Sequence, residues 1–293
     1  MLKISVIIPV IGEHDLTEKC IDHLFQHSIN APDFNILIID NGSEVPVVEA
    51  LAGPLALPNV FVLRNEENVG LYPALEQGYN YFKDTDIYFF THNDLFVQEL
   101  GWDNIIRRAY KNYPNLGVSG LVGAVGIGTD GGRIQTMCNF LGLELGAPYY
   151  EHGQLPPVEV VPACIMDGAS LIIRKEALDE IKWDDLIEVH HFYDKILSLD
   201  ILYAGWDNAV LRIGCDHAGG LTSCRPAYLE WAKKHIKEVY GEDVENGDKF
   251  IYEKSEQRLF GKYGDKFPVV VRPDWSRTDA KGVVPRNEER TNE

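Results

Sequence analysis

The sequence has no apolar run approaching the roughly 20 residues that a membrane-spanning helix needs. It also has no CxxC pair among its five cysteines, Cys20, Cys138, Cys164, Cys215 and Cys224. The first absence argues against a transmembrane segment, and the second against a structural zinc site. An odd cysteine count without a secretory signal points to free thiols in a reducing compartment. Positive charge is scarce too: 27 Lys and Arg stand against 45 Asp and Glu, a net charge of −18. Such a surface repels a long polyanion, so nucleic acid is not expected as a partner. A small anionic ligand would need local help from a cation or from helix N-termini. The opening stretch MLKISVIIPVIGEHD has a short apolar segment and no small-residue cleavage site before charge resumes. It reads as a first strand rather than a signal peptide, and the expected location is cytoplasmic.

What is present is an ordinary globular composition, 45% hydrophobic and 25% charged over 293 residues. That length suffices for one large domain or two small ones, with a core burying roughly 75% of the unfolded surface. The first half alternates strongly. KISVIIPV (3–10), FNILIID (34–40), NVFVLRN (59–65) and DIYFFTH (86–92) are β-rich apolar runs. Between them, 16–28 carries Leu16, Cys20, Leu24 and Phe25 on one helical face, 45–53 reads as a short helix, and 70–83 places Leu71, Leu75 and Tyr79 at helical spacing. Runs this continuous are buried on both faces, the mark of an α/β fold with a mostly parallel central sheet flanked by helices.

The regularity then weakens. Residues 117–149 are glycine-rich and read as irregular. Residues 158–173 read as strand, a turn at Asp167-Gly168, and strand. A helix is predicted over 194–204, a strand over 208–214, and helices over 227–240 and 250–263. The expected organisation is a main domain over 1–225, a helical C-terminal extension over 226–275, and a disordered polar tail over 276–293.

In parallel sheets of this kind, ligands bind beyond the carboxyl ends of the strands. Two polar clusters fall there. Asp40-Asn41-Gly42-Ser43 is either a plain turn or a carboxylate placed to accept hydrogen bonds from a base or ribose. His92-Asn93-Asp94 is either a capping segment or a site for a hard cation, which prefers carboxylate oxygen and keeps water and substrate phosphate as its other ligands. Farther on, the Asp194 of His190-His191-Phe192-Tyr193-Asp194 is either an N-cap or a general base. His217, after a β run, gains interest only if it shares a site with Asp94. GIGTDG (126–131) matches the dinucleotide fingerprint formally but does not follow the first strand, and reads as a glycine-rich loop.

Taken in order, ISVIIPV, ILIIDNGS, NEENVG, a strand ending in HND, DGASLIIRKEAL, HHFYD before a helix ending in AGW, and a β run into DHAGG resemble the family 2 glycosyltransferases. The resemblance covers roughly residues 3–225, and RLFGKYGDKFP resembles a segment near the end of some members. It implies an inverting enzyme with the A-type nucleotide-sugar-binding fold. It implies a nucleoside-diphosphate sugar as donor, a glycan or other hydroxyl compound as acceptor, and Mn²⁺ or Mg²⁺ as cofactor. By the same resemblance Asp40 contacts the base or its ribose, with Pro9, Ile11, Glu13, Asn68, Gly70 and Asn93 also on the nucleotide side. Asp94 contacts the metal, His217 completes its site, Asp194 is the catalytic base, and Asp167 and Gly168 lie at the acceptor side. The chain departs from the pattern in three places. The acidic triplet keeps one carboxylate, Ile196 stands where an acid often follows the base, and Asp200 stands where an arginine is common.

Two other readings stay open. A nucleotidyltransferase shares the early layout, but would show a glycine-rich basic loop where this chain has IGEHDLTEK. A non-catalytic sugar-nucleotide-binding protein would fit the reduced acidic motif. Donor hydrolysis in Mn²⁺ separates it from an enzyme.

Overall fold

A computed structural model of the chain describes residues 1–29, 33–51, 53–141, 159–183, 191–219 and 226–287. His190, Cys224 and residues 288–293 lie outside the described residues. The predicted alternation is present. Strands β1 (Ile4–Val10), β2 (Phe34–Asn41), β3 (Val60–Asn65) and β4 (Ile87–Thr91) are separated by helices α1 (His14–Gln26), α2 (Val47–Ala50) and α3 (Leu71–Tyr81). The four strands are mutually parallel in the order β3-β2-β1-β4. Side chains alternate between two cores. Ile7, Leu37, Ile39, Tyr88 and Phe90 enter one, while Ile4, Val6, Ile8, Ile36, Ile38 and Phe89 enter the other. Each strand therefore reads as an unbroken apolar run because both of its faces are covered.

The chain continues through β5 (Leu95–Val97), α4 (Trp102–Asn112), β6 (Leu116–Gly120), β7 (Val122–Ile127) and β8 (Arg133–Cys138). Next come β9 (Val160–Pro162), β10 (Ile165–Met166), β11 (Ser170–Arg174), α5 (Lys175–Asp179), α6 (Tyr193–Tyr203), β12 (Asp207–Leu211) and β13 (Cys215–His217). β11 pairs antiparallel with both β4 and β6, and β12 and β9 complete an eight-stranded sheet. Helices α1 and α4 cover one face through Ile21, Leu24, Trp102 and Ile106. On the other face lie α3 and α6.

The expectation of irregular structure from residue 117 is corrected: β6, β7 and β8 occupy 116–138. The glycines that suggested loops sit where another backbone passes too close for a side chain. A Cβ at Gly120 would lie 2.7 Å from the Ser170 carbonyl oxygen, and one at Gly126 would lie 2.7 Å from that of Val269. GIGTDG is the end and turn of the β7–β8 hairpin.

The C-terminal part carries helices α7 (Pro226–Tyr240) and α8 (Gly247–Tyr263), then returns as β14 (Val269–Val271), β15 (Arg277–Asp279) and β16 (Gly282–Val283). These strands extend a second sheet, β10-β7-β14-β15-β16 with β8 on β7. The stretch from Ser276 to 287 is thus structured, against the expectation of a disordered tail. Its organiser is Arg277, 1% exposed. Its guanidinium donates to the carbonyls of Trp206, Val284 and Pro285. A composition-based reading counts this arginine as polar surface, whereas here it holds the chain end to the sheet. The four described cysteines are free and buried. Among the described residues no helix is long and apolar enough to cross a membrane.

Candidate active site

The carboxyl ends of β1, β2 and β3 lie level, with Val10 beside Asp40 and Asp40 beside Arg64. Asp40 is fully buried. One carboxylate oxygen accepts from the Ser43 N–H (2.9 Å), the other from the Val47 N–H (3.0 Å) and from the Arg64 guanidinium. Burial opposes its ionisation, but these donors outweigh burial and hold its carboxyl below the usual range. Asp40 therefore organises the turn and anchors Arg64 rather than presenting an open oxygen. Pro9 lies in β1 beside Ile39, and Ile11 and Glu13 follow in the turn into α1. Glu13 adopts a left-handed φ of 53° and precedes that helix without a side-chain cap. The Ser43 hydroxyl ties the two turns together by accepting from the Gly12 N–H at 2.8 Å.

Asn68 and Gly70 join the same edge through Asn41. The Asn41 amide donates to the Asn68 side-chain oxygen (2.8 Å) and to the Gly70 carbonyl (3.2 Å), and its oxygen accepts from the Val69 N–H (3.0 Å). The Trp231 indole of α7 donates to the Asn68 carbonyl at 2.8 Å, fixing the C-terminal helices over this loop. Asn93 turns toward α1 instead, donating to the Thr17 hydroxyl at 3.0 Å.

His92 and Asp94 follow β4, and no helix begins there, so neither serves as a cap. β5 starts at Leu95 and pairs antiparallel with β13, which sets His217 opposite Leu95. The Ala218 N–H donates to the Asp94 carbonyl at 2.9 Å, closing this short ribbon. His217 Nε2 lies 3.2 Å from Asp94 Oδ1, and His92 Nδ1 lies 3.9 Å from the same oxygen. One ligand atom from each of the three residues falls within 4.8 Å of the others. His92 Nε2, Asp94 Oδ1 and both ring nitrogens of His217 are buried without hydrogen-bond partners. Such convergence is costly in an empty polar site and fits a bound cation. Burial keeps the His92 imidazole below its ordinary value, against the pull of Asp94. For His217, burial is outweighed by the Asp94 carboxylate and the shift is upward.

The third cluster is carried by α6. Its first turn follows Phe192, which has φ 60° and no side-chain cap bond. Asp194 is thus inside the helix rather than its N-cap. Ile196, Leu197 and Leu199 are buried. The Ser198 hydroxyl donates to the Asp194 carbonyl (2.7 Å) and accepts from the Met166 N–H (3.0 Å), pinning the helix to β10. The Asp194 carboxylate accepts from the N–H groups of Gly168 (3.0 Å) and Lys195 (2.8 Å). Gly168 has no room for a side chain: a Cβ would lie 2.4 Å from the Tyr193 hydroxyl. Asp167 accepts from the Ala169 N–H (2.9 Å) and pairs with Arg133 of β8 at 2.5 Å. Burial, then the charge of Asp167, push the Asp194 carboxyl above its ordinary value. Asp167 itself is held low: burial opposes its ionisation, but the Arg133 guanidinium and the Ala169 N–H together outweigh it.

The second and third clusters share one wall. The His92 N–H donates to the Ala169 carbonyl at 3.1 Å, and Thr91 is paired with Ser170. The short Asp167–Ala169 turn touches both, through the Ala169 carbonyl on the His92 side and the Gly168 N–H on the Asp194 side. At the positions that depart from the family pattern, Ile196 is core and Asp200 faces α8, paired with Lys262 at 2.7 Å. Besides Lys195 on its own helix, the cation near Asp194 is Arg133, 3.7 Å away. It lies 61 positions earlier in the chain, on a strand that sequence reading took as irregular, so no local signal points to it.

The mostly parallel α/β sheet, with acidic and imidazole groups gathered beyond its strand ends, has the fold of the solved A-type glycosyltransferases. The chain belongs to glycosyl transferase family 2, whose description matches residues 5–181. Several solved glycosyltransferases share the fold. The mannosyltransferase PcManGT from Pyrobaculum calidifontis, solved with GDP-Man and Mn2+, aligns with a TM-score of 0.53 and 13% identity, covering 87% of this chain and 69% of that one. S. aureus TarS 1-349 with UDP-GlcNAc gives 0.52 and 13%, covering 89% and 73%. GalNAc-T7 with UDP, GalNAc and Mn2+ gives 0.56 and 15%, covering 90% of this chain and 57% of its own. At these identities the likeness establishes the fold. No protein of curated function matches the chain by sequence.

Proposed function

We propose that this chain transfers a sugar from a nucleoside diphosphate to a hydroxyl acceptor with inversion, assisted by a divalent cation and with Asp194 as general base. The observation that carries the reading is the meeting of Asp94 and His217 at 3.2 Å, across 123 positions of sequence, with buried ligand atoms that have no other partner. His92, Asp94 and His217 would hold the cation, which supplies charge neutralisation for the departing diphosphate. Two imidazole nitrogens beside one carboxylate favour a transition-metal ion such as Mn²⁺ over Mg²⁺, which prefers oxygen. The edge built from Glu13, the Asp40 turn, Arg64 and Asn68 is the proposed seat of the nucleotide.

Inversion needs one displacement at the anomeric carbon. The acceptor O–H proton passes to the Asp194 carboxylate as the acceptor oxygen bonds to that carbon. The bond to the diphosphate oxygen breaks and its electron pair leaves with the diphosphate. A carboxyl raised above its ordinary value retains such a proton better, and the Gly168 N–H fixes one of its oxygens in place. Asp167 and Gly168 line the acceptor side.

The test is a thermal-shift screen of nucleoside diphosphates with and without Mn²⁺. At 100 times its dissociation constant a ligand stabilises by about 2.7 kcal/mol, roughly 5–10 °C for a chain of this size. We expect such a shift for the wild type with Mn²⁺, and none for Asp94→Ala. Equal Mn²⁺-dependent shifts in both proteins would overturn the assignment.

A further inference from the structure

Asp194 does not stand alone at the mouth of α6. Across from it, the β7–β8 hairpin is held at both sides of its turn. The Gly132 N–H donates to the Asp130 carboxylate at 2.8 Å, and Lys195 of α6 donates to the Gly131 carbonyl at 2.8 Å. Arg133, the residue that opens β8, is therefore fixed relative to α6. Its Nη2 lies 2.5 Å from Asp167 Oδ2 and 3.7 Å from Asp194 Oδ2.

Resting on the reading of Asp194 as the base, we propose that Arg133 is a positioning residue of the transfer reaction: gripped by Asp167, it fixes a positive charge 3.7 Å from the Asp194 carboxylate and so sets when that carboxylate carries a proton. One guanidinium shared unequally by two carboxylates separates them. The close partner, Asp167, is stabilised as the anion. Its charge then faces Asp194 and favours a proton there, while Arg133 at the longer distance opposes that rise. The other groups around Asp194 are Lys195 on its own helix, the Tyr193 phenol and, beyond the 167–169 turn, His92, with Asp130 facing Lys195. Burial is the largest influence on Asp194, Asp167 the next, and Arg133 opposes both. The two carboxylates titrate as a pair, with Asp167 losing its proton first.

The experiment is an NMR titration of the full chain carrying ¹³Cγ-labelled aspartate, with the Asp194 resonance identified by its loss in Asp194→Asn. The Asp194 midpoint is expected to move upward in Arg133→Gln and downward in Asp167→Asn. In Arg133→Lys, which keeps the charge but loses the planar fork, it falls between wild type and Arg133→Gln. Should the glutamine variant fail to fold, the lysine variant decides. Midpoints unchanged from wild type in the folded Arg133 variants would overturn the proposal. If the midpoints move as stated but Asp194→Asn still transfers sugar at the wild-type rate, it is the base assignment that fails, and the coupling of Arg133 to Asp194 survives.

Discussion

Asp40 and Asp194 are both buried carboxylates at the mouth of the sheet, and their surroundings drive them in opposite directions. Asp40 receives two backbone N–H groups and a guanidinium, and is held as the anion. Asp194 also receives two N–H groups, but it faces Asp167 and the nearest cation is turned toward that neighbour. One is suited to hold structure and the other to exchange a proton. The Asp40 carboxyl lies below its unfolded value, so its contribution to stability is present above about pH 4 and is lost as pH falls through the folded value. Asp40→Asn is expected to cost about 2 kcal/mol in urea unfolding at pH 7, the worth of a hydrogen bond to a charged group. The gap should narrow as the pH drops below about 4. A gap of the same size at pH 7 and pH 3 would show that the charge of Asp40 contributes nothing. At this scale Asp40 and Asp94 stand out in the sequence because they follow apolar runs, whereas Asp194 and His217 stand out only through the order of motifs that resembles the family. Arg133 does not stand out, since its meaning depends on a hairpin whose glycines read as loop.

The elements that build the site differ in how openly the sequence displays them. β1 to β4 are long apolar runs between amphipathic helices, and periodicity finds them. β5 and β13 are three residues each, too short for any period, yet their pairing is what delivers His217 to Asp94. The β2–α2 turn is a third case, where Asn-Gly signals a turn but not the loop packed against it. Gly42 has φ +81°, and a Cβ there would lie 2.7 Å from the Asn68 backbone nitrogen. Neither the conformation nor the space admits a side chain. Gly42→Ala is expected to destabilise by roughly 2–3 kcal/mol in urea unfolding, more than a compatible Gly→Ala change, because backbone must move. A loss below about 0.5 kcal/mol would mean that the two loops separate freely.

Across the whole molecule, the site draws on both sheets. Asp94 follows β4, a central strand of the eight-stranded sheet, His217 comes from the β5–β13 ribbon, Arg133 from the second sheet, and Asp167 from the turn where the chain passes from one sheet to the other. The second sheet was the part least legible in the sequence. Its strands are short, it closes with residues from the far C-terminus, and its buried anchor is an arginine. The central claim is that a cation-holding cluster acts on the diphosphate of the donor while a separate base, Asp194, takes the proton of the acceptor. The direct measurement is release of nucleoside diphosphate from a panel of nucleotide sugars with Mn²⁺, by wild type, by wild type in EDTA, and by Asp194→Asn. The account predicts release by the wild type and none in EDTA. It predicts a folded Asp194→Asn protein that binds donor normally yet turns over at least about 100-fold more slowly, the lower end of what a general base contributes. Turnover by Asp194→Asn within a few-fold of wild type, or wild-type release undiminished by EDTA, would contradict it.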